Sequence, residues 1–296
     1  MILSSPRRHD VVAMYRIKNE ERWIKRSLER TLLVADTVVL FDDGSTDRTE
    51  DEVRSLLGNA YETFNSRRGW VKYSSIDTFG PFFIYYIHSP FAYAEVEIER
   101  VSEIRDKNYL WSFVKAMCRH SWVLALDGDE MLSLQAVRKF PFMLKMMESQ
   151  NVDVVTFPFI YLWDKEDQQR VDGLYGNAPG EKIKQLKFPR MFTPRRLTER
   201  QRFDQRFAWQ GSWGGFHCGS VPMEGFTPDG APVKGAAQNL PIIHFGYIDE
   251  ELRQAKFEFY NRIDPGNTFE GEYKHIIGVP DRWCPGPVEL APWEDK

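Results

Sequence analysis

The chain has 296 residues, which is enough for one enlarged α/β domain or two small ones. Hydrophobic residues make up 42% and aromatic residues 14% of the composition, so the chain can bury a substantial core and global disorder is excluded. The net charge of -4 at pH 7 excludes a general attraction to nucleic acid or to anionic membranes, so an anionic substrate must be held by local cations, a metal ion or helix termini.

The first sixty residues alternate between predicted strands and predicted helices. The apolar runs at 10–15 and 37–41 predict buried strands. A helix is predicted after each strand, the first with Asn19 as its N-cap and with apolar residues at helical spacing. This order of elements is typical of a parallel sheet.

The alternation continues after a less regular stretch between residues 61 and 102. The sequence predicts further strands and helices, in chain order a strand at 82–87, a helix at 103–120, a strand at 122–126, a helix at 134–149 and a strand at 152–157. An α/β fold with a mostly parallel, Rossmann-like sheet flanked by helices is therefore expected.

Residues 163–235 change in character, because Gly, Pro, Arg and aromatic residues are frequent and periodicity is weak. This composition predicts an irregular lobe, the usual place for substrate selection. A short strand at 241–245 and a helix at 249–263 follow. We therefore expect one domain over residues 1–296, made of an α/β core at 8–160, an irregular lobe at 161–240 and a tail at 241–296 with the last strand and the C-terminal helix.

The three cysteines, Cys118, Cys218 and Cys284, are far apart and have no C-x-x-C spacing. This argues against a disulfide scaffold and against a structural zinc site. The N-terminus lacks the apolar core of a signal peptide, and no apolar run approaches the roughly 20 residues needed to span a bilayer. We expect a soluble protein of the cytoplasm, of a host cell if the chain is viral.

Acidic residues follow two of the predicted strands. Asp42 and Asp43 come after the strand at 37–41, and Asp127 and Asp129 flank a glycine after the strand at 122–126. Ligands of open α/β sheets bind beyond the carboxyl ends of the strands, so both pairs are expected to face one crevice.

Asp127 and Asp129 can approach one hard cation, because Gly128 between them allows the backbone to bend. The alternative is an acidic turn that only solvates the end of a strand. For Asp42 and Asp43 the alternative is ordinary turn and cap chemistry, although two adjacent acids exceed what a cap requires, and one of them could accept hydrogen bonds from a nucleobase or a ribose.

These motifs together resemble the family 2 glycosyltransferases of the GT-A fold, in the branch with an L-D-x-D-E signature. The resemblance is carried by five segments, Asn19-Glu20, Phe41-Asp-Asp-Gly-Ser-Thr-Asp-Arg-Thr49, Arg105-Asp-Lys-Asn108, Leu126-Asp-Gly-Asp-Glu130 and His244-Phe-Gly-Tyr247. It covers residues 10–160 well and 240–277 loosely.

The resemblance implies a nucleoside-diphosphate sugar as donor and a divalent ion, Mn²⁺ or Mg²⁺, as cofactor. It implies a nucleoside pocket that Asp43 lines together with Asp42 and the strand end around Arg16. It also implies metal ligands at Asp127, Asp129 and His244, with a packed core residue as the alternative for His244. The core at 8–160 would bind the nucleotide sugar, and the lobe at 161–240 would hold the acceptor.

Further donor contacts are implied for Arg105, Asn108 and Gly128. The acceptor would be the hydroxyl of a carbohydrate or glycoconjugate. A uridine diphosphate sugar is the expected donor, and neither nucleic acid nor a membrane span is expected.

The reaction of this family is an inverting transfer, in which a carboxylate deprotonates the acceptor. The family's Glu-Asp pair has no clean counterpart in this sequence. Asp172 and Asp167 are the base candidates, with Asp167 next to Glu166, and Asp164 and Asp204 compete with them.

Four residues of the irregular lobe could stack on a sugar face, namely Trp209, Trp213, Phe216 and His217. The alternative is that they pack the lobe onto the sheet. The cations Arg190, Arg195 and Arg196 could bind an anionic acceptor or form a solvated face.

Two other classes of protein remain open. A metal-dependent nucleotidyltransferase also uses acids at strand ends, but it typically opens with a glycine-rich basic loop, and Tyr15-Arg-Ile-Lys-Asn19 has no glycine. A carbohydrate-binding protein that has lost the catalytic base is the second alternative.

Overall fold

The computed structural model describes most of the chain, in ten ranges, 10–57, 61–65, 70–75, 82–89, 99–117, 120–174, 187–194, 220–221, 233–266 and 272–296. The contacts divide the chain into two compact units. The first unit comprises residues 1–131, 137–156 and 189–236, and the second comprises residues 132–136, 157–188 and 237–296. The predicted organisation as one domain with a core, a lobe and a tail stays a prediction.

Strands make up the larger part of the described elements. In chain order they are β1 (Val11–Ile17), β2 (Thr37–Asp42), β3 (Tyr61–Asn65), β4 (Trp70–Ser75), β5 (Phe82–His88), β6 (Trp122–Asp127), β7 (Glu130–Leu132), β8 (Val154–Trp163), β9 (Lys165–Arg170), β10 (Lys187–Phe192), β11 (Gly235–Ala237), β12 (Ile242–His244) and β13 (Leu290–Pro292). The helices are α1 (Ile24–Thr31), α2 (Thr49–Leu57), α3 (Glu99–Met117), α4 (Leu134–Ser149), α5 (Glu250–Ile263) and a 3-10 helix at Lys274–Ile277.

The first unit has a sheet with a parallel centre. Its strands lie in the order β10-β6-β1-β2-β5-β4-β3. The four strands β6, β1, β2 and β5 are parallel; β10 pairs antiparallel with β6, and β4 and β3 continue the sheet antiparallel from β5. The predicted fold class, α/β with a mostly parallel sheet flanked by helices, is confirmed.

The central strands are apolar because both of their faces are covered. Every residue of β2 is buried, and in β1 only Arg16 retains partial exposure. Strands of a buried parallel sheet are near-continuous apolar runs, which is why the sequence predicts β1, β2 and β6 within one or two residues at each end. Trp111 and Leu110 of α3 pack against this sheet in a core cluster that includes Met14 and Phe41.

Asn19 does not cap the first helix, contrary to the prediction. Its backbone has a φ of 56°, which asparagine tolerates better than most residues, and its side-chain oxygen accepts the N–H of Thr46 at 2.8 Å. A turn follows in which the carbonyl of Glu20 accepts the N–H of Trp23 and of Ile24, both at 3.0 Å, and only there does α1 begin. The strand end after β1 is therefore connected to the turn after β2.

The second unit is built on the C-terminal part of β8. There β12 pairs with β8 in parallel and β9 pairs with it antiparallel, and β13 extends the sheet from β9. The prediction that 163–235 is irregular is wrong for its described part, since β9 and β10 lie in it. The sequence of β9, Lys-Glu-Asp-Gln-Gln-Arg, is almost entirely polar, so it carries no alternation that could reveal a strand.

Within the described residues, no helix is both long enough and apolar enough to cross a membrane. Cys284 is buried with a free thiol, and Cys118 and Cys218 lie outside the described residues.

Candidate functional site

Both acidic turns of the first unit lie at the same edge of its sheet. In the strand register, Asp127 on β6 is opposite Arg16 on β1, and Ile17 on β1 is opposite Asp42 on β2. The backbone continues this pairing beyond the strands, since the N–H of Gly128 donates to the carbonyl of Arg16 at 3.1 Å. Neighbouring strands are about 4.8 Å apart, so the two turns are separated by the width of one intervening strand.

Asp42 uses both of its carboxylate oxygens within the protein. Oδ1 accepts the backbone N–H of Ser45 at 2.8 Å and the hydroxyl of Ser45 at 2.7 Å, and Oδ2 accepts the hydroxyl of Tyr86 at 2.5 Å. The side chain is buried. These contacts give Asp42 the role of closing the turn after β2, beside its expected place in the nucleoside pocket.

Asp43 is held by cations. Its backbone N–H donates to the carbonyl of Ile17 at 2.9 Å, and its Oδ2 lies 3.1 Å from Nη2 of Arg16 and 3.6 Å from Nζ of Lys18. Its other oxygen, Oδ1, makes no hydrogen bond to the described part of the chain. Asp43 can thus present one carboxylate oxygen to a ligand while the other is fixed.

Arg16 bridges Asp43 to a second acid, Asp106 on α3. Nε of Arg16 donates to Oδ2 of Asp106 at 3.1 Å, while Oδ1 of Asp106 accepts from Arg105 at 3.1 and 3.2 Å. Asp106 is 0% exposed. Burial raises the pKa of Asp106 above its usual value, Arg16 opposes this rise, and Asp43 adds to it.

The turn after β6 leaves its acids more accessible. The side chain of Asp127 is 37% exposed and that of Asp129 is partly exposed. A side chain at Gly128 would collide with Glu20, because an ideal Cβ there would lie 2.5 Å from Cγ of Glu20. The close approach of Glu20 is thus a second reason for a glycine at this position, beside the bending of the backbone that the sequence predicts.

Glu130 differs from the two aspartates beside it. It is 1% exposed and forms a two-pronged ion pair with Arg190 of β10, with Oε1 to Nη2 at 2.5 Å and Oε2 to Nε at 2.8 Å. Its Oε2 also accepts the N–H of Asp127 at 3.2 Å. Burial raises the pKa of Glu130 to about 7, although Arg190 lowers it, and the charges of Asp127 and Asp129 raise it further.

Arg190, on β10, therefore contacts the acidic turn and does not belong to a solvated face. Its Nη2 lies 3.6 Å from Oδ2 of Asp127, so one guanidinium neutralises Glu130 and also contacts the more exposed acid. The buried pair fixes the turn in place, because each oxygen of Glu130 has a donor with good geometry.

The side chains at this turn could supply some of the oxygen ligands of a hard divalent ion. Among the described residues, no group of three or more His, Cys, Asp or Glu side chains is arranged as a metal site. The turn itself carries two partly exposed carboxylates, Asp127 and Asp129. Mg²⁺ and Mn²⁺ accept one or two carboxylates and keep other positions for water and phosphate oxygens, which is the arrangement that a bound diphosphate would complete.

His244, the third expected ligand, lies on β12 in the second unit. Its ring packs against Phe159, Tyr161 and Tyr247, with centroid separations of 6.0, 5.3 and 5.0 Å. Its Nδ1 accepts the N–H of Gly246 at 3.2 Å, which leaves the proton of the neutral ring on Nε2. The role of His244 as a metal ligand stays a prediction.

The base candidates also belong to the second unit. Asp172 is buried, with 1% of its side chain exposed, and its Oδ2 lies 2.7 Å from Nε of Arg170. Asp167 is exposed on β9, and Asp164 is paired with Arg253 at 2.8 Å. The assignment of the base is not tested by these positions.

Several expected residues lie outside the described residues, namely Asp204, Arg195, Arg196, Trp209, Trp213, Phe216 and His217. Of the expected donor contacts on α3, Arg105 has a partly exposed side chain that reaches Asp106, and Asn108 is partly exposed, with its carbonyl accepting the hydroxyl of Ser112.

Sequence reasoning assigned no role to Asp106 and left two readings for Glu130, a residue that supports the metal ligands or the start of the next helix. The signal that could have singled out Asp106 is weak, since a lone acid on a helix is usually solvated. Glu130 offered a better signal, because it is directly followed by apolar Met131 and Leu132, which form β7 with it.

The sequence matches no protein-family model and no curated protein. Among solved structures, a crystal structure of S. aureus TarS 1-349 is similar over 90% of this chain and 69% of that chain, with 10% identity and a TM-score of 0.41. A second crystal structure of S. aureus TarS is similar over 90% of this chain and 41% of that chain, with 11% identity and a TM-score of 0.40. A crystal structure of a Mycobacterial protein is similar over 85% of this chain and 74% of that chain, with 16% identity and a TM-score of 0.37. Each TM-score is below 0.5, so the proposals below depend on the residues of the site and not on these structures.

Proposed function

We propose that this protein is a metal-dependent glycosyltransferase. It transfers a sugar from a nucleoside diphosphate, preferably uridine diphosphate, to the hydroxyl of a carbohydrate or glycoconjugate, with inversion at the anomeric carbon. The observation that carries the proposal is the common sheet edge of two acidic turns, one with a carboxylate anchored by cations at Asp43 and one with exposed carboxylates at Asp127.

Asp43 is suited to bind the nucleobase. A carboxylate only accepts hydrogen bonds when it is ionised, so it favours a base that presents an N–H group. Uracil and guanine have an imide or amide N–H at the ring position concerned, whereas cytosine and adenine have an acceptor there. Arg16 and Lys18 hold Oδ2 of Asp43 and leave its Oδ1 for the base.

Asp127 and Asp129 are suited to hold the divalent ion that the diphosphate requires. The bound ion would stabilise the negative charge that develops on the leaving diphosphate. Glu130 and Arg190 fix the turn that would hold this ion, and the partly exposed carboxylates of the turn lie at the carboxyl edge of the sheet. In a chain with a net charge of -4, such a cation would help to hold an anionic donor.

Inversion needs a general base that can reach the acceptor hydroxyl. Of the two candidates, Asp167 is exposed, whereas Asp172 is committed to an ion pair with Arg170. We therefore favour Asp167. Asp167→Asn should lower the rate of transfer and leave donor binding intact, and Asp172→Asn should lower stability instead.

A thermal-shift screen of uridine, guanosine, cytidine and adenosine diphosphate sugars, each with and without Mn²⁺, tests the proposal. We expect stabilisation that needs both a nucleotide sugar and the ion, because a ligand stabilises a protein only in proportion to its binding to the folded state. Stabilisation by none of these pairs would contradict the proposed function. Slow release of free nucleoside diphosphate would separate a transferase from a protein that only binds the donor.

A further inference from the structure

A chain of alternating charges extends from α3 to the end of β2. Along it, cation and anion alternate from Arg105 through Asp106, Arg16 and Asp43 to Lys18. The innermost member, Asp106, is fully buried, whereas both ends of the chain reach solvent. A buried carboxylate is retained in a core only when it is paired, so the chain is a built feature of this edge of the sheet.

The guanidinium of Arg16 is divided between two acids. Nε and Nη2 lie on the same side of the guanidinium and form the fork that commonly grips a single carboxylate with two parallel hydrogen bonds. Here Nε donates to Asp106 and Nη2 donates to Asp43, each at 3.1 Å. Only one prong of the fork is thus available to Asp43, which is why one oxygen of Asp43 stays without a hydrogen bond to the described part of the chain.

We propose that Asp106 is a positioning residue for the nucleotide site. By holding Nε of Arg16, it prevents Arg16 from closing with both prongs on Asp43, and so keeps Oδ1 of Asp43 available to the nucleobase. This inference rests on the proposed function, because it takes Asp43 as the group that binds the base. Asp106 itself is buried and touches no ligand.

The test is a calorimetric titration of the full chain with uridine diphosphate in the presence of Mn²⁺. Asp106→Asn is nearly isosteric but removes the negative charge, and its amide cannot accept from Arg105 and Arg16 at once. We expect its dissociation constant to rise about tenfold, the effect of losing one hydrogen bond of a charged group. Arg16→Lys should give a similar loss, because an ammonium is a point donor that cannot span two carboxylates.

A double-mutant cycle separates positioning from mere support of α3. If Asp106 acts through Asp43, Asp106→Asn should weaken binding less than about twofold in a chain that already carries Asp43→Asn, because coupled residues are not additive. Equal losses in both backgrounds would overturn the proposal. Asp51→Asn, at an exposed acid of α2, is the control for charge removal and should change nothing.

The outcomes also separate this inference from the function on which it rests. If the unmodified chain binds none of the uridine, guanosine, cytidine and adenosine diphosphates, the proposed function fails and the inference fails with it. If the unmodified chain binds uridine diphosphate and Asp106→Asn binds it equally well, only the inference fails. Chemical denaturation of Asp106→Asn, measured in parallel, shows whether the variant is folded at the titration temperature.

Discussion

The two acidic strand ends of the first unit look alike in sequence and differ in structure. After β2, Asp42 is buried and bonded through both oxygens, and Asp43 is anchored through one oxygen by Arg16 and Lys18. After β6, Asp127 has over a third of its side chain exposed, and within the described part of the chain its carboxylate has one long contact, to Arg190 at 3.6 Å. The acid that is most fully satisfied at this second end is Glu130.

This difference shows how neighbouring carboxylates can receive separate tasks. A buried acid must be paired, because an isolated charge in the interior loses its hydration. At each strand end one acid takes that structural position, Asp42 in one turn and Glu130 in the other, and this fixes the backbone that carries its neighbours. The neighbours, Asp43 and Asp127, are then held in position with capacity left for a ligand.

The largest effect is expected from removing Asp129, one of the two acids that we assign to the cation. Asp129→Ala should abolish cation-dependent binding of a nucleotide sugar and leave the fold intact, because the exposed turn keeps the buried pair of Glu130 and Arg190. Calorimetric titration with uridine diphosphate sugar and Mn²⁺ measures this. Asp51→Ala, in the exposed part of α2, serves as control. Binding by Asp129→Ala with unchanged dependence on the cation would show that the turn has another role.

The next effect concerns stability and tests whether Glu130 is the structural acid of its turn. Arg190→Ala would leave Glu130 buried without its ion-pair partner, which we expect to cost about 3–5 kcal/mol in the free energy of unfolding. Urea denaturation followed by circular dichroism gives this value. The matched control is Arg54→Ala, since Arg54 pairs with Glu50 at 2.9 Å on the surface of α2 and such a pair contributes less than about 1 kcal/mol. Equal losses in the two variants would contradict the structural role of the buried pair.

The sequence predicts the buried strands of this fold better than the exposed ones. β1, β2 and β6 are uninterrupted apolar runs, and α4 and α5 have clear helical spacing, so their bounds agree with the prediction within one or two residues. β9 lies between β8 and β13, but most of its residues are exposed or partly exposed, and its sequence is polar. β10 contains Pro189, which argues against a central strand in a sequence-based prediction. Strands with little burial lack the pattern that a sequence-based prediction can detect.

The residues of the candidate site also differ in how well the sequence predicts them. The strand-end rule identifies Asp43 and Asp127, because local sequence decides where a parallel strand ends. It cannot identify their partners. Arg16 meets Asp106 across 90 residues of chain and Arg190 meets Glu130 across 60, and such pairs depend on how distant elements pack. The cationic partners of the acids were therefore visible only in three dimensions.

The smallest effects on stability and binding are expected from substitutions of the two acids after β2. Asp42→Asn places a hydrogen-bond donor among groups that already donate, the hydroxyl of Tyr86 and the N–H of Ser45, and should lower the free energy of unfolding by about 1–3 kcal/mol. Asp43→Asn should cost less than Asp42→Asn, since water can reach its partners Arg16 and Lys18, whose side chains are 25% and 56% exposed. In titrations with uridine diphosphate the order should reverse, with the larger loss of affinity in Asp43→Asn. The same order in both measurements would mean that the two acids do not divide structure and binding between them.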